Sequence, residues 1–205
     1  MGKTGSQPSQ PGLVSGLQDD HVGNVMNDPQ VATRPADRQC RKCLIVTGDD
    51  FGRSAEVNEA VERFHRAGLL TQASLMVNEP GVEEAVRIAR RNPGLTVGLH
   101  LTLCSGRASG KTPLADGRGF LPPSPAWAGL RYAFDRALRP ALRAEIEAQF
   151  EAFAGLGFPP VYWDGHTHLH LHPAVFDLTL PVAVAHVHGP VVADATPHGR
   201  LVTRH

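Results

Sequence analysis

Neither sign of charge dominates this chain: 20 Lys and Arg stand against 20 Asp and Glu in 205 residues, a formal net charge of zero. That balance excludes the basic stripe of a nucleic-acid-binding surface and the polybasic face of a membrane-surface protein. Cysteine is scarce. Cys40, Cys43 and Cys104 make an odd three, which does not suggest a disulfide framework at this length. No apolar run approaches the roughly 18 residues of a spanning helix. The N-terminus lacks the basic stretch and continuous apolar segment of a secretory signal. One domain in the cytoplasm is the expectation, with enough chain to bury a core. Against these absences stands histidine: eleven in all, four of them within residues 166–172.

Residues 1–41 are rich in Gly, Ser, Gln, Pro and Asp with no sustained hydrophobic period, the composition of a disordered leader. The chain then changes character. Residues 43–47 form a short apolar β-type run that stops at Gly48-Asp49-Asp50. Ser54 reads as a helix N-cap, followed by Val57, Ala60, Val61 and Phe64 at helical spacing and a stop at Gly68. Residues 71–77 and 95–103 read as further strands. Between them lies the helical stripe Val82, Ala85, Val86 and Ala89, closed by Asn92-Pro93-Gly94.

Residues 104–135 are Gly- and Pro-rich with scattered aromatics, too long for an ordinary connection, and read as a lid or substrate loop. Leu138, Leu142, Ile146, Phe150 and Phe153 mark a long amphipathic helix. Val161-Tyr162-Trp163 opens a fourth strand, and Pro173 suits the first turn of a helix over residues 174–180. Strand and helix alternate four times, the pattern of a parallel α/β sheet or barrel.

In such folds chemistry gathers at the carboxyl ends of the strands. Three strand ends carry coordinating residues: Asp49-Asp50, His100, and the run His166, His168, His170 and His172. One carboxylate with two imidazoles is a standard ligand set for a catalytic divalent cation. A second carboxylate beside it is free to take a proton from the attacking water. The alternating histidines, if extended, all project to one face. Metal-assisted hydrolysis is the chemistry this constellation suggests. Asp50-Phe51-Gly52 matches a kinase tripeptide, but no glycine-rich nucleotide loop accompanies it. Cys40 and Cys43 have zinc or redox spacing without a second Cys pair.

Read in order, residues 44–52, 98–102 and 164–170 resemble the motifs of the YdjC-like carbohydrate deacetylases, the family of the chitooligosaccharide deacetylases. The intervening segments 57–62, 71–77 and 145–153 look closest to its hopanoid-biosynthesis branch. The resemblance implies an α/β fold, a (β/α) barrel of the polysaccharide-deacetylase type, spanning residues 42–205 and family-like to about 180. It also implies a divalent metal, magnesium or zinc, held by Asp50, His100 and His166. Asp49 becomes the general base, and His168 and His170 fall where the family has further catalytic-site histidines. The implied reaction removes acetyl from an N-acetylated sugar or glycolipid. In the hopanoid branch that substrate is an N-acetylglucosaminyl hopanoid, which brings the chain near the inner membrane face. A homo-oligomer stays open.

Family chains continue well past the His-rich segment with a late His-Pro motif, which His198-Gly199 does not restore, so the barrel is expected to be incomplete at its C-terminus. That feature supports an alternative reading, a truncated remnant that at most binds metal. An amidohydrolase-type enzyme is disfavoured, because its His pair sits on an early strand, whereas here the carboxylates come first.

Overall fold

The computed structural model describes residues 44–187. The expected leader, the Cys40 and Cys43 pair and most of the tail expected to diverge after about residue 180 lie outside them. Within them, four short strands pair in parallel: β1 (Thr47–Phe51), β2 (Gln72–Leu75), β3 (Thr96–Leu101) and β4 (Trp163–Gly165). Their spatial order follows the chain, β1-β2-β3-β4. A doubly wound sheet reverses strand order at a switch point, whereas a (β/α) barrel adds each strand beside the last. This arrangement is an arc of the barrel type.

Helices return the chain between strands, α1 (Ala55–Arg66), α2 (Val82–Arg91), α3 (Pro125–Phe134) and α4 (Arg139–Gly155), and α5 (Pro173–His186) follows β4. Ser54 caps α1, its side chain accepting a hydrogen bond from Val57 N at 3.4 Å. Alternation along the strands divides two environments. Ala73, Leu75, Val97, Leu99, Leu101 and Trp163 join the hydrophobic core with Ile88, Leu142, Ile146 and Phe150 from the helices. Ser74, Gly98, His100 and Asp164 occupy the intervening positions. Gln149 of α4 grips the end of β3, donating to Thr102 O at 2.7 Å and accepting from Thr102 N at 2.9 Å.

Four expectations need correction. Residues 44–46 do not form the start of β1. Leu44 and Ile45 are exposed, and the last residue before β2, Thr71, reaches back only as far as Val46. The buried face of α1 is turned by a residue, so Asn58 and Val61 go inside while Ala60 and Phe64 face out. The excursion over 104–135 is not wholly loop, because Ser124 and Pro125 start α3 with an N-cap and a Pro in the first turn. Finally, α5 continues through Pro181 to His186. Val182 and Ala183 are buried there, and that burial offsets the cost of an interior proline.

Among the described residues no helix is long and apolar enough to cross a membrane. Ile146, fully buried in the core, carries the stability prediction. Ile146→Ala should lower unfolding free energy by about 2–5 kcal/mol in denaturant titration, while Phe134→Ala on the exposed face of α3 should shift it by less than about 0.5 kcal/mol.

Candidate metal centre

Two adjacent aspartates on a regular strand would point to opposite faces. β1 escapes this because its register against β2 slips between Gly48 and Phe51, and Asp50 takes a left-handed backbone with φ 60°. Such a bulge re-aims side chains and stores strain at a functional position. The turn is pinned from behind: Asn58, wholly buried, accepts from Gly52 N at 2.8 Å and donates to Gly81 O at 2.9 Å. Arg53 holds Asp50 Oδ2 at 2.8 Å, leaving Oδ1 turned inward.

His100 comes from β3, and the β3–β4 register sets it directly opposite Asp164. His166 follows β4 at once. Parallel pairing therefore delivers all three side chains to one end of the sheet. Asp50 Oδ1 stands 2.9 Å from His166 Nδ1 and 3.3 Å from His100 Nε2, and the two imidazole nitrogens are 3.3 Å apart. These residues form one group able to hold a metal ion. Close as it is to both rings, buried Asp50 Oδ1 makes no hydrogen bond of acceptable alignment with either. Three ligand atoms this close to one another suit a shared cation. Ligand atoms about 2.0–2.2 Å from one ion lie roughly 3 Å apart.

The electrostatics agree. His100 and His166 hold the Asp50 carboxyl well below the usual carboxylate range, against the opposing effect of burial. For His100, burial works against the charged form. The hydrogen bond to Asp164, with the Asp50 and Asp49 carboxylates nearby, outweighs it and raises the imidazole to about 9. Asp49 is exposed as a residue, yet its carboxyl is partly desolvated. That burial pushes its pKa up, with His100 opposing and Asp164 and Asp50 reinforcing the shift. Asp49 also falls in a second group, with His100 and Asp164, whose ligand atoms lie within 4.8 Å of each other.

The extended histidine run does not form. Residues 166–171 wind into 3₁₀-type turns, with Thr167 and His168 left-handed at φ 55° and 57°. Cys104 Sγ contacts Thr167 Oγ1 at 3.1 Å and ties this turn to the segment after β3. The four imidazoles consequently part company. His166 enters the cluster and His168 is exposed. His170 is buried edge-on against Trp163, with centroids 5.4 Å apart, and packs over Gly165. His172 lies against Gly129 of α3. Burial lowers the His170 pKa and keeps that ring neutral.

With this geometry in hand, comparison with known proteins decides the family. A sequence profile of YdjC-like proteins matches residues 43–202. The chain belongs to the YdjC-like family. It is 38% identical over 145 residues to a carbohydrate deacetylase of Brevibacillus brevis, covering 68% of this chain and 55% of that protein. It is 33% identical over 141 residues to a chitooligosaccharide deacetylase of Proteus mirabilis, covering 68% and 54%. The chain thus spans about half the length of the curated relatives it matches. A crystal structure from Enterococcus faecalis V583, described as a candidate cellobiose-phosphate cleavage protein, shares the fold. It has a TM-score of 0.57 at 22% identity, over 73% of this chain and 57% of that one.

Sequence reasoning overlooked Asp164, Ser74 and Asn58. Asn58 was visible as a polar residue within the apolar stripe of α1. The other two become legible only once strand register is known.

His166→Ala and Asp50→Asn each remove one donor from the cluster. Both should lose at least tenfold in zinc affinity by isothermal titration, whereas Arg118→Ala, on the exposed excursion, should leave it unchanged.

Proposed function

We propose that this chain's site removes an acetyl group from an N-acetylated sugar. The observation that carries the reading is the convergence of Asp50, His100 and His166 beside a second, partly desolvated carboxylate, Asp49. The similarity to carbohydrate and chitooligosaccharide deacetylases supports the substrate class. Asp50, His100 and His166 would hold the divalent cation; two imidazoles and a carboxylate suit zinc, and the family resemblance adds magnesium as a second candidate. When bound, such a cation supplies Lewis acidity toward an amide carbonyl and toward water.

The protein's own groups do the rest. Asp49 accepts the proton of the attacking water, and its raised pKa makes it a better base than an ordinary surface aspartate. His168, exposed beside the cluster, donates a proton to the departing amine. His170, neutral and walled in by Trp163, supports the turn that carries His166 and His168. Arg53 and Asn58 keep Asp50 in its left-handed conformation.

A cavity of about 610 Å³ opens in the excursion after β3, its lining mixing alanines and glycines with Asn78, Arg107, Lys111, Thr112, Asp116 and Arg118. None of the cluster residues lines it. Asn78 follows β2 on the same end of the sheet, so the cavity is our candidate for the remainder of the sugar chain. An N-acetylglucosaminyl hopanoid enters as one substrate to test, on the resemblance of the inter-motif segments to that branch.

Acetate release from N-acetylglucosamine oligomers, assayed with the zinc- or magnesium-loaded chain, tests the reading. Asp49→Asn should lower kcat by about 10²–10⁴-fold with zinc affinity within threefold of wild type. Undiminished turnover in that variant removes Asp49 as base. A wild-type chain that binds zinc but releases no acetate favours a metal-binding remnant.

A further inference from the structure

His100 can serve the cluster only through Nε2, and only if that nitrogen carries no proton of its own. The sheet supplies a device for this. Asp164 Oδ1 lies 2.6 Å from His100 Nδ1, just short of the usual charge-assisted N–H···O distance of about 2.7–2.9 Å. Asp164 is in turn fixed: Ser74 Oγ donates to its other oxygen, Oδ2, at 2.6 Å. Ser74 has a single hydroxyl proton, already given to Asp164, so the Tyr162 hydroxyl 3.3 Å away is the donor to Ser74 Oγ.

These groups come from three strands or their edges, and one residue permits their meeting. Ser74 of β2 sits opposite Gly98 of β3, while Asp164 stands on β4, beyond it. Without a side chain at Gly98, the space over β3 is filled by the Tyr162 ring, and Ser74 reaches across to Asp164. A Cβ at Gly98 would run into that ring. Ser74 is wholly buried and Tyr162 nearly so, so water does not compete for these bonds.

We propose that Asp164, braced by Ser74 and Tyr162 across Gly98, is a positioning residue that keeps a proton on His100 Nδ1 and so presents the Nε2 lone pair to the metal. Imidazole ligands are commonly oriented by a carboxylate on the far nitrogen, and loss of that partner typically costs 10–100-fold in metal affinity. Asp49, His100 and Asp164 also bring ligand atoms within 4.8 Å of one another. Asp164, however, meets His100 at Nδ1, while Nε2 is the nitrogen that faces Asp50 and His166, so Asp164 is assigned to act through His100 rather than as a ligand. The inference rests on the metal-centre reading above.

The test uses the full 205-residue chain with ¹⁵N-labelled histidine and zinc alone as probe. In wild type, a downfield imidazole proton coupled to His100 Nδ1 should be present without metal and persist on zinc loading, while Nε2 loses its proton. Asp164→Asn should abolish or shift that resonance and weaken zinc binding about 10–100-fold in competition with a chromophoric chelator. Tyr162→Phe keeps the ring over Gly98 and should cost only a few-fold, which guards against a variant that merely misfolds. An Nδ1 without a proton in the zinc-loaded protein, or zinc affinity in folded Asp164→Asn within twofold of wild type, overturns the proposal while the metal reading stands. A wild-type chain that shows the Nδ1 proton yet binds no zinc sinks the metal reading instead.

Discussion

Asp50 Oδ1, His100 Nε2 and His166 Nδ1 crowd within 3.3 Å of each other without the alignment that would let the carboxylate accept from either ring. Left to themselves, a carboxylate and two largely buried imidazoles resolve such crowding by sharing protons, and the lowered pKa of Asp50, held down by His100 and His166, is that tendency. A divalent cation resolves it differently, by neutralising the carboxylate and accepting both lone pairs at once. Much of the local architecture holds these three groups close enough to share one positive charge.

That constraint accounts for features otherwise expensive to keep. The slipped register of β1 and the left-handed backbone at Asp50 bring one carboxylate inward while Asp49 stays at the rim. The left-handed pair Thr167 and His168 turns the chain sharply after His166, so that one imidazole enters the cluster while the next faces solvent. Behind the cluster, core packing of Leu99, Leu101 and Trp163 on α4 fixes the strands whose ends carry the donors.

The strand ends were legible in the sequence because parallel α/β topology gathers them regardless of detail. Asp49, Asp50, His100 and His166 each close or follow an apolar β-type run, and their separation along the chain is erased by pairing. The histidine run was misread for a physical reason. Alternation suggests an extended strand, and nothing at Thr167 or His168, neither Gly nor Asn, announces positive φ. Asp164 and Ser74 were invisible for another. Their roles depend on which residue faces which across β2, β3 and β4, and local pattern does not carry register. The helix within the Gly- and Pro-rich excursion, by contrast, was signalled by Ser124-Pro125 and passed over in favour of composition.

The central claim is that one carboxylate and two imidazoles share a cation. X-ray absorption spectroscopy of the zinc-loaded chain reads that shell directly. A first shell of nitrogen and oxygen only, with multiple scattering from two imidazoles that falls to one in His100→Ala, is the predicted result. A sulfur-containing shell, or an imidazole count unchanged by that substitution, would contradict it.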